Sequence, residues 1–231
     1  MTRSDELASA SHRFWSDYPI ATFGPGGTAD ESLALIARRN GIYPELVKVV
    51  SLDFPGQTVL DFGCGPGHDT IAFLLNGAAH VYAADVSAPA LASLANRLRA
   101  HGLEDRCTAI LIPPDESWTP PIVDHIHAAG VLHHCIDPLS VLRGLKGALA
   151  EGAWMWAMVY SAESHFYRVT CKANEILFRQ RADGGAPIVN AWTQAEFTEM
   201  ASEAGLTARY LGGYWHSEPD GPGLSSCWEL R

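Results

Sequence analysis

Val59-Leu60-Asp61-Phe62-Gly63-Cys64-Gly65-Pro66-Gly67-His68-Asp69 is the stretch on which the reading of this chain turns. A short apolar run ends in a turn with glycines at alternate positions, and a helix-forming segment follows at once. Glycine reaches positive φ and has no Cβ, so the backbone can approach a ligand closely there. The first turn of a helix also leaves N–H groups without partners, ready for an anion or another acceptor. A bland tight turn uses glycines in the same way, so a second feature has to decide between the two.

That feature is Asp85, at the end of the next strand, His80-Val81-Tyr82-Ala83-Ala84-Asp85-Val86. An acid at that place in a strand–helix–strand unit can accept both hydroxyls of a ribose. The alternative is a cap for the helix that follows, which Ser87 can supply itself. A dinucleotide site spaces its glycines G-x-G-x-x-G, whereas this turn reads G-x-G-x-G after Asp61. A carboxylate there would repel a pyrophosphate and would suit a cationic ligand.

Working outward, the units repeat. Residues 107–112, 122–130 and 153–160 read as further strands, with a helix over 137–150 and a turn at Glu151-Gly152. Strands alternating with helices of this length imply a doubly wound α/β fold with a mostly parallel sheet. Residues 206–213 and 224–230 form a late antiparallel pair. Before the sheet, residues 1–50 read as an N-terminal helical arm, in which Thr28 and Glu31 have capping-box spacing and a helix covers Pro44 to Val50. Residues 51–231 form the main domain, with 161–192 as a lid helix and loop. Thr193 and Glu196 open the next helix.

The whole chain has 231 residues, with 16 Lys+Arg against 26 Asp+Glu and a net charge of −10. That balance opposes general phosphate-backbone binding, so no nucleic-acid partner is expected. Five cysteines without a C-x-x-C pair indicate neither a disulfide framework nor a zinc module. The N-terminus lacks the apolar core of a secretory signal, and no run approaches the ~20 residues of a membrane span. A reduced, cytoplasmic protein with no membrane partner is the expectation. The oligomeric state is left open.

Taken together, the segments resemble the class I, seven-stranded S-adenosylmethionine-dependent methyltransferases, in their small-molecule branch. The resemblance covers roughly residues 57–160. It rests on Asp61 with Gly63, Gly65 and Gly67, on Asp85, and on Asp124 with Ala128-Ala129-Gly130-Val131-Leu132-His133-His134. It implies S-adenosylmethionine as cofactor, its methionyl end held by Asp61 and the glycine turn and its ribose by Asp85. Val86, Ala129 and Gly130 would join that site, and His68 would reach the cofactor carboxylate or else lie at the surface. The family places an acid near the adenine; here Asp115, Glu116 or neither fills that role, and Trp118 could stack on the base instead. Glu151-Gly152 lacks the proline of the usual turn.

The implied reaction is methyl transfer to an O, N or C atom of a small molecule. Alternatives on the same fold are a cyclase or lyase using the same cofactor, and a non-catalytic binding subunit. Positioning can supply much of the rate, and a base is needed where the acceptor must lose a proton. His133 and His134, just past the fourth strand, fit that role or a structural one at the strand end. Tyr160 is a further catalytic or pocket candidate, with Trp15, Tyr18 and Tyr167 as possible pocket walls; core packing is the alternative for each. His125 and His127 share a strand face, but no metal site is expected there. Arg168, Lys172, Arg179 and Arg181 either meet an acidic substrate or form a solvated helix face.

Overall fold

A computed structural model describes residues 3–17, 27–42, 49–50, 52–113, 117–164, 186–214 and 225–231. Seven strands form one sheet in the order β3-β2-β1-β4-β5-β7-β6. They are β1 (Thr58–Phe62), β2 (His80–Asp85), β3 (Cys107–Leu111), β4 (Val123–Ala129), β5 (Leu149–Tyr160), β6 (Ala208–Tyr214) and β7 (Ser225–Leu230). The first five pair in parallel, and β7 runs antiparallel between β5 and β6. The alternation read from the sequence is therefore the observed architecture, including the late antiparallel pair.

The helices are α1 (Arg3–Asp17), α2 (Ala29–Ile42), α3 (His68–Leu75), α4 (Ala88–His101), α5 (Pro138–Gly147) and α6 (Gln194–Glu203). Their starts are chemically marked. Ser87 accepts from the Ala90 N–H ahead of α4, and Asp137 accepts from Ser140 N–H ahead of α5. Thr193 and Glu196 form a reciprocal capping box on α6, and Thr28 and Glu31 exchange the same two bonds at α2. The helix expected over Pro44–Val50 falls mostly outside the described residues.

Strand periodicity divides the core into two layers. Val59, Val81, Ala83 and Trp156 pack with Ile71, Phe73 and Leu94 on one face, beneath α3 and α4. Leu60, Ile126, Met155 and Ala157 pack with Leu142, Leu145 and Phe197 on the other, beneath α5 and α6. Side chains of successive strand residues point to opposite faces, so both layers come from the same strands. Two boundaries differ from the sequence reading. The helix expected to Ala150 ends at Gly147, and β5 begins at Leu149, before the expected turn. Gly152, at φ +77°, breaks the β4–β5 register instead of starting the strand, so the turn is a bulge.

The ends of the expected lid meet. Trp192 N–H donates to the Tyr160 carbonyl and Ala162 N–H to the Trp192 carbonyl. Only residues 161–164 and 186–192 of that segment are described, so the basic stretch at Arg168, Lys172, Arg179 and Arg181 lies outside them.

Candidate active site

The glycine turn leaves β1 at the carboxyl edge of the sheet, where doubly wound folds place ligands. Gly63 and Cys64 N–H groups both donate to the Ala84 carbonyl, at 2.8 and 3.1 Å, which ties the turn to β2. Gly63, Gly65 and Gly67 all have positive φ. Their surroundings differ. A Cβ on Gly63 would lie 2.6 Å from Val131, and one on Gly67 only 2.3 Å from Leu94. A Cβ on Gly65 would meet nothing within 4 Å. Two glycines therefore allow close packing of protein on protein, while the third faces open space.

Asp85 stands opposite that space. Its carboxylate accepts from the Gly65 N–H and the Ser87 N–H, each at 2.8 Å. It thus binds the turn to the start of α4, and its unused lone pairs remain for a ligand. Burial raises its pKa, against the opposing pull of the backbone N–H groups.

An open cleft adjoins these groups, enclosing about 840 Å³ together with the solvent space at its mouth. Gly63, Gly65, Asp85 and Val86 line one part, with Ile112 and Trp118 beside them. Ala129, Gly130, Val131 and His134 line the β4 side, and Ser11 and Trp15 of α1 close it from the arm. Trp118 lies nearly parallel to Phe62, with ring centroids 6.1 Å apart.

Several expected residues sit behind this surface. Asp61 is buried and accepts from the Thr70 hydroxyl at 2.6 Å, pinning α3 to β1. Gly67 caps α3, and His68 is buried in its first turn, neither at the surface nor in the cleft lining. His133 is 1% exposed and stacks on Tyr160 at 3.7 Å. Neither of these two side chains belongs to the lining, whereas His134 does. Tyr18, Tyr167, Asp115 and Glu116 lie outside the described residues.

Sequence reasoning did not single out Ser11, Ile112 or Val141, all of which line the cleft. Ser11 could have been found, because it lies one helical turn before Trp15 on the same face. Ile112 and Val141 are ordinary apolar residues whose place depends on the fold alone.

The paired histidines of β4 face α3 as their spacing requires. Each packs on the tryptophan opposite in the β4–β5 register: His125 on Trp154 at 4.2 Å, and His127 on Trp156 at 4.9 Å. His127 Nε2 also meets the Asp69 carboxylate at 3.1 Å. No group of three potential metal ligands occurs among the described residues.

Burial holds His125 and His133 well below the usual imidazole range, and His134 down to about 4. The unfolded chain's imidazoles take up protons below about pH 6.5, while these folded ones stay neutral. Between those limits the unfolded state binds more protons, so stability rises with pH and falls on acidification. The raised Asp85 acts in the opposite sense, as one group against three. Thermal melts are expected to give a lower Tm at pH 5 than at pH 7; an unchanged or higher Tm at pH 5 would contradict the buried neutral imidazoles.

A sheet of this order, with a glycine turn after β1 and an acid closing β2, is the class I methyltransferase fold. Residues 60–155 match the family model described as a methyltransferase domain. Ribosomal protein L11 methyltransferase of Escherichia coli is 37% identical over 111 residues, which cover 45% of this chain and 38% of that protein. The chain thus aligns with well under half of that relative's length. Among solved structures, Burkholderia thailandensis 1,6-didemethyltoxoflavin-N1-methyltransferase is similar over 100% of this chain and 91% of that one, at TM-score 0.63 and 17% identity. An S-adenosylmethionine-dependent methyltransferase from Mesorhizobium loti is similar over 81% and 96%, at TM-score 0.61 and 16% identity. Over residues 60–155 the chain is similar to a methyltransferase domain, and its fold is the class I fold seen in S-adenosylmethionine-dependent methyltransferases.

Proposed function

We propose that the protein transfers a methyl group from S-adenosylmethionine to an O, N or C atom of a small molecule. The observation that carries this is the cleft itself, with Asp85 and the open side of Gly65 at one part and Trp15 and His134 at another. Asp85 would take the ribose hydroxyls with its remaining lone pairs. Gly65, Val86, Ala129 and Gly130 would line the bound cofactor, with Trp118 beside the base, and Trp15 would wall the acceptor pocket. Asp61, Gly67 and His68 would act from behind, by holding α3 and the turn in place. When bound, the cofactor supplies an already activated methyl group on a sulfonium. The chain's own work is then to orient, to exclude water and to accept any proton released.

A small acceptor, rather than a protein or nucleic acid, is supported by the arm residues that narrow the cleft and by the net charge of −10. The Burkholderia neighbour is described with 1,6-didemethyltoxoflavin and S-adenosylhomocysteine bound, which agrees with that class. Cys64, Cys107, Cys135 and Cys227 lie outside any disulfide, which supports a reducing, cytoplasmic setting. No helix among the described residues is long and apolar enough to cross a membrane.

Calorimetric titration with S-adenosylmethionine and S-adenosylhomocysteine is expected to show binding of both at sub-millimolar concentration. Binding of neither would sink the proposal. Product analysis then separates chemistries: methyl transfer leaves S-adenosylhomocysteine, whereas release of methylthioadenosine would mean a cyclase or lyase.

A further inference from the structure

We infer that His134 is the general base of the transfer, and that the acceptor is a neutral hydroxyl or N–H compound that gives up a proton as it takes the methyl group. This rests on the methyl-transfer reading above and narrows it to a substrate class.

Geometry distinguishes the two adjacent histidines. His134 Nδ1 lies 2.8 Å from the Ile188 carbonyl oxygen. A carbonyl can only accept, so Nδ1 carries the hydrogen and Nε2 keeps its lone pair. The ring forms part of the cleft wall and is packed between Trp15, at 4.7 Å, and His133, at 4.3 Å. His133 is shut away behind it, with Nδ1 buried and unpartnered and the ring stacked on Tyr160. One imidazole of the pair is therefore oriented by a hydrogen bond and belongs to the cleft wall. The titratable groups around it are His133, Tyr160 of β5, the neighbouring Cys135, and Asp85 in the same cleft.

Burial pushes the resting His134 down to about 4, so the ring is neutral at physiological pH. It adds no positive charge to a cleft that must admit a sulfonium. During transfer the acceptor's O–H or N–H bond breaks and its proton passes to Nε2. The freed electron pair forms the bond to the methyl carbon. The sulfur–methyl bond breaks and its pair stays on sulfur, leaving a neutral thioether. A positive charge disappears at sulfur as one appears on imidazole, so the cleft's total charge does not change. That exchange offsets the burial penalty which keeps His134 neutral at rest. The proton then leaves to solvent. A tertiary amine or thioether acceptor has no proton to lose and would need no such base.

The test uses the full chain with ¹⁵N-labelled histidines, titrated by NMR as two complexes, one with S-adenosylmethionine and one with S-adenosylhomocysteine. His134→Asn assigns the signal, and its amide can still donate to Ile188. The Nδ1–H tautomer is expected. A nearby sulfonium should lower the proton affinity of Nε2 about tenfold or more relative to the thioether complex. An Nε2–H tautomer, equal titration in both complexes, or a response at His133 instead would overturn the assignment. If calorimetry detects neither complex, the methyl-transfer reading itself fails; binding without the difference refutes only the base. Methyl-labelled cofactor is then offered with neutral phenols and N–H heteroarenes, or with tertiary amines and thioethers. Label is expected in the first set and is expected to fall 10²–10⁴-fold in His134→Asn. Label in neither set, or in the second set at the same rate in both proteins, would overturn the acceptor class.

Discussion

Asp85→Ala is expected to weaken S-adenosylmethionine binding by roughly a hundred- to ten-thousandfold. Hydrogen bonds to a charged group contribute about 1.5–3 kcal/mol each, and two ribose hydroxyls would be lost together. Every 1.4 kcal/mol is about a factor of ten in affinity. The effect has a second source, because the same carboxylate fixes the Gly65 and Ser87 N–H groups at 2.8 Å. Without it, the turn must be ordered when the ligand arrives, and that ordering subtracts from the binding energy. Asp85→Asn tests the two contributions apart. Its amide oxygen can serve one N–H, but its NH₂ would face the other, donor against donor. Calorimetry on both variants, with Tm measured alongside, would read this directly. Affinity within twofold of wild type in Asp85→Ala would reduce the residue to a structural cap.

Gly63→Ala is expected to cost roughly 2–5 kcal/mol of folding stability. A non-glycine residue at φ +73° carries a penalty of about 1–2 kcal/mol, and overpacking adds about 1–3. The new methyl would stand 2.6 Å from the Val131 Cβ, an atom fixed to backbone that cannot swing aside. Gly65→Ala provides the contrast, since φ there is +52° but nothing lies within 4 Å. That variant should fold with a smaller loss and bind the cofactor poorly, its methyl occupying ligand space. Gly102→Ala, at φ +63° in open surroundings beyond α4, should show the backbone penalty alone. Urea unfolding of the three, followed by cofactor titration of those that fold, orders them. Equal stability losses at Gly63 and Gly102 would remove the close approach to Val131 as a cause.

Much of this was legible from residue order because local chemistry and fold agree. Period-2 apolar runs, capping residues at Thr28, Ser87 and Thr193, and glycine at forced positive φ each act within a few residues. The meeting of Asp85 with the glycine turn was readable for the same reason: the strand end and the turn are brought together by one short crossover. Asp61 shows where that logic stops. Its position on β1 was readable, but its hydrogen bond with the Thr70 hydroxyl of the helix packed above it was not. Spacing cannot say whether a carboxylate at a strand end turns toward a ligand or toward a helix. His133 and His134 are the same problem in miniature. They are adjacent in sequence, and a short helical turn sends one behind Tyr160 and the other to the cleft. The partner that fixes His134, the carbonyl of Ile188, lies far along the chain and has no side-chain signature.

The placement of β7 bears on how a ribosome delivers this molecule. β7, Ser225–Leu230, follows β6 in sequence yet lies between β5 and β6 in the sheet, and Trp228 is almost wholly enclosed. When β6 has been synthesised, β7, its neighbour in the sheet among the described residues, does not yet exist. The nascent protein can assemble β1 to β5 and the cleft around them, yet β5 keeps an unpaired rim until translation has passed Leu230. Exposed rims of that kind recruit other chains. The cofactor half can therefore be built before β5 has its β7 partner in the sheet.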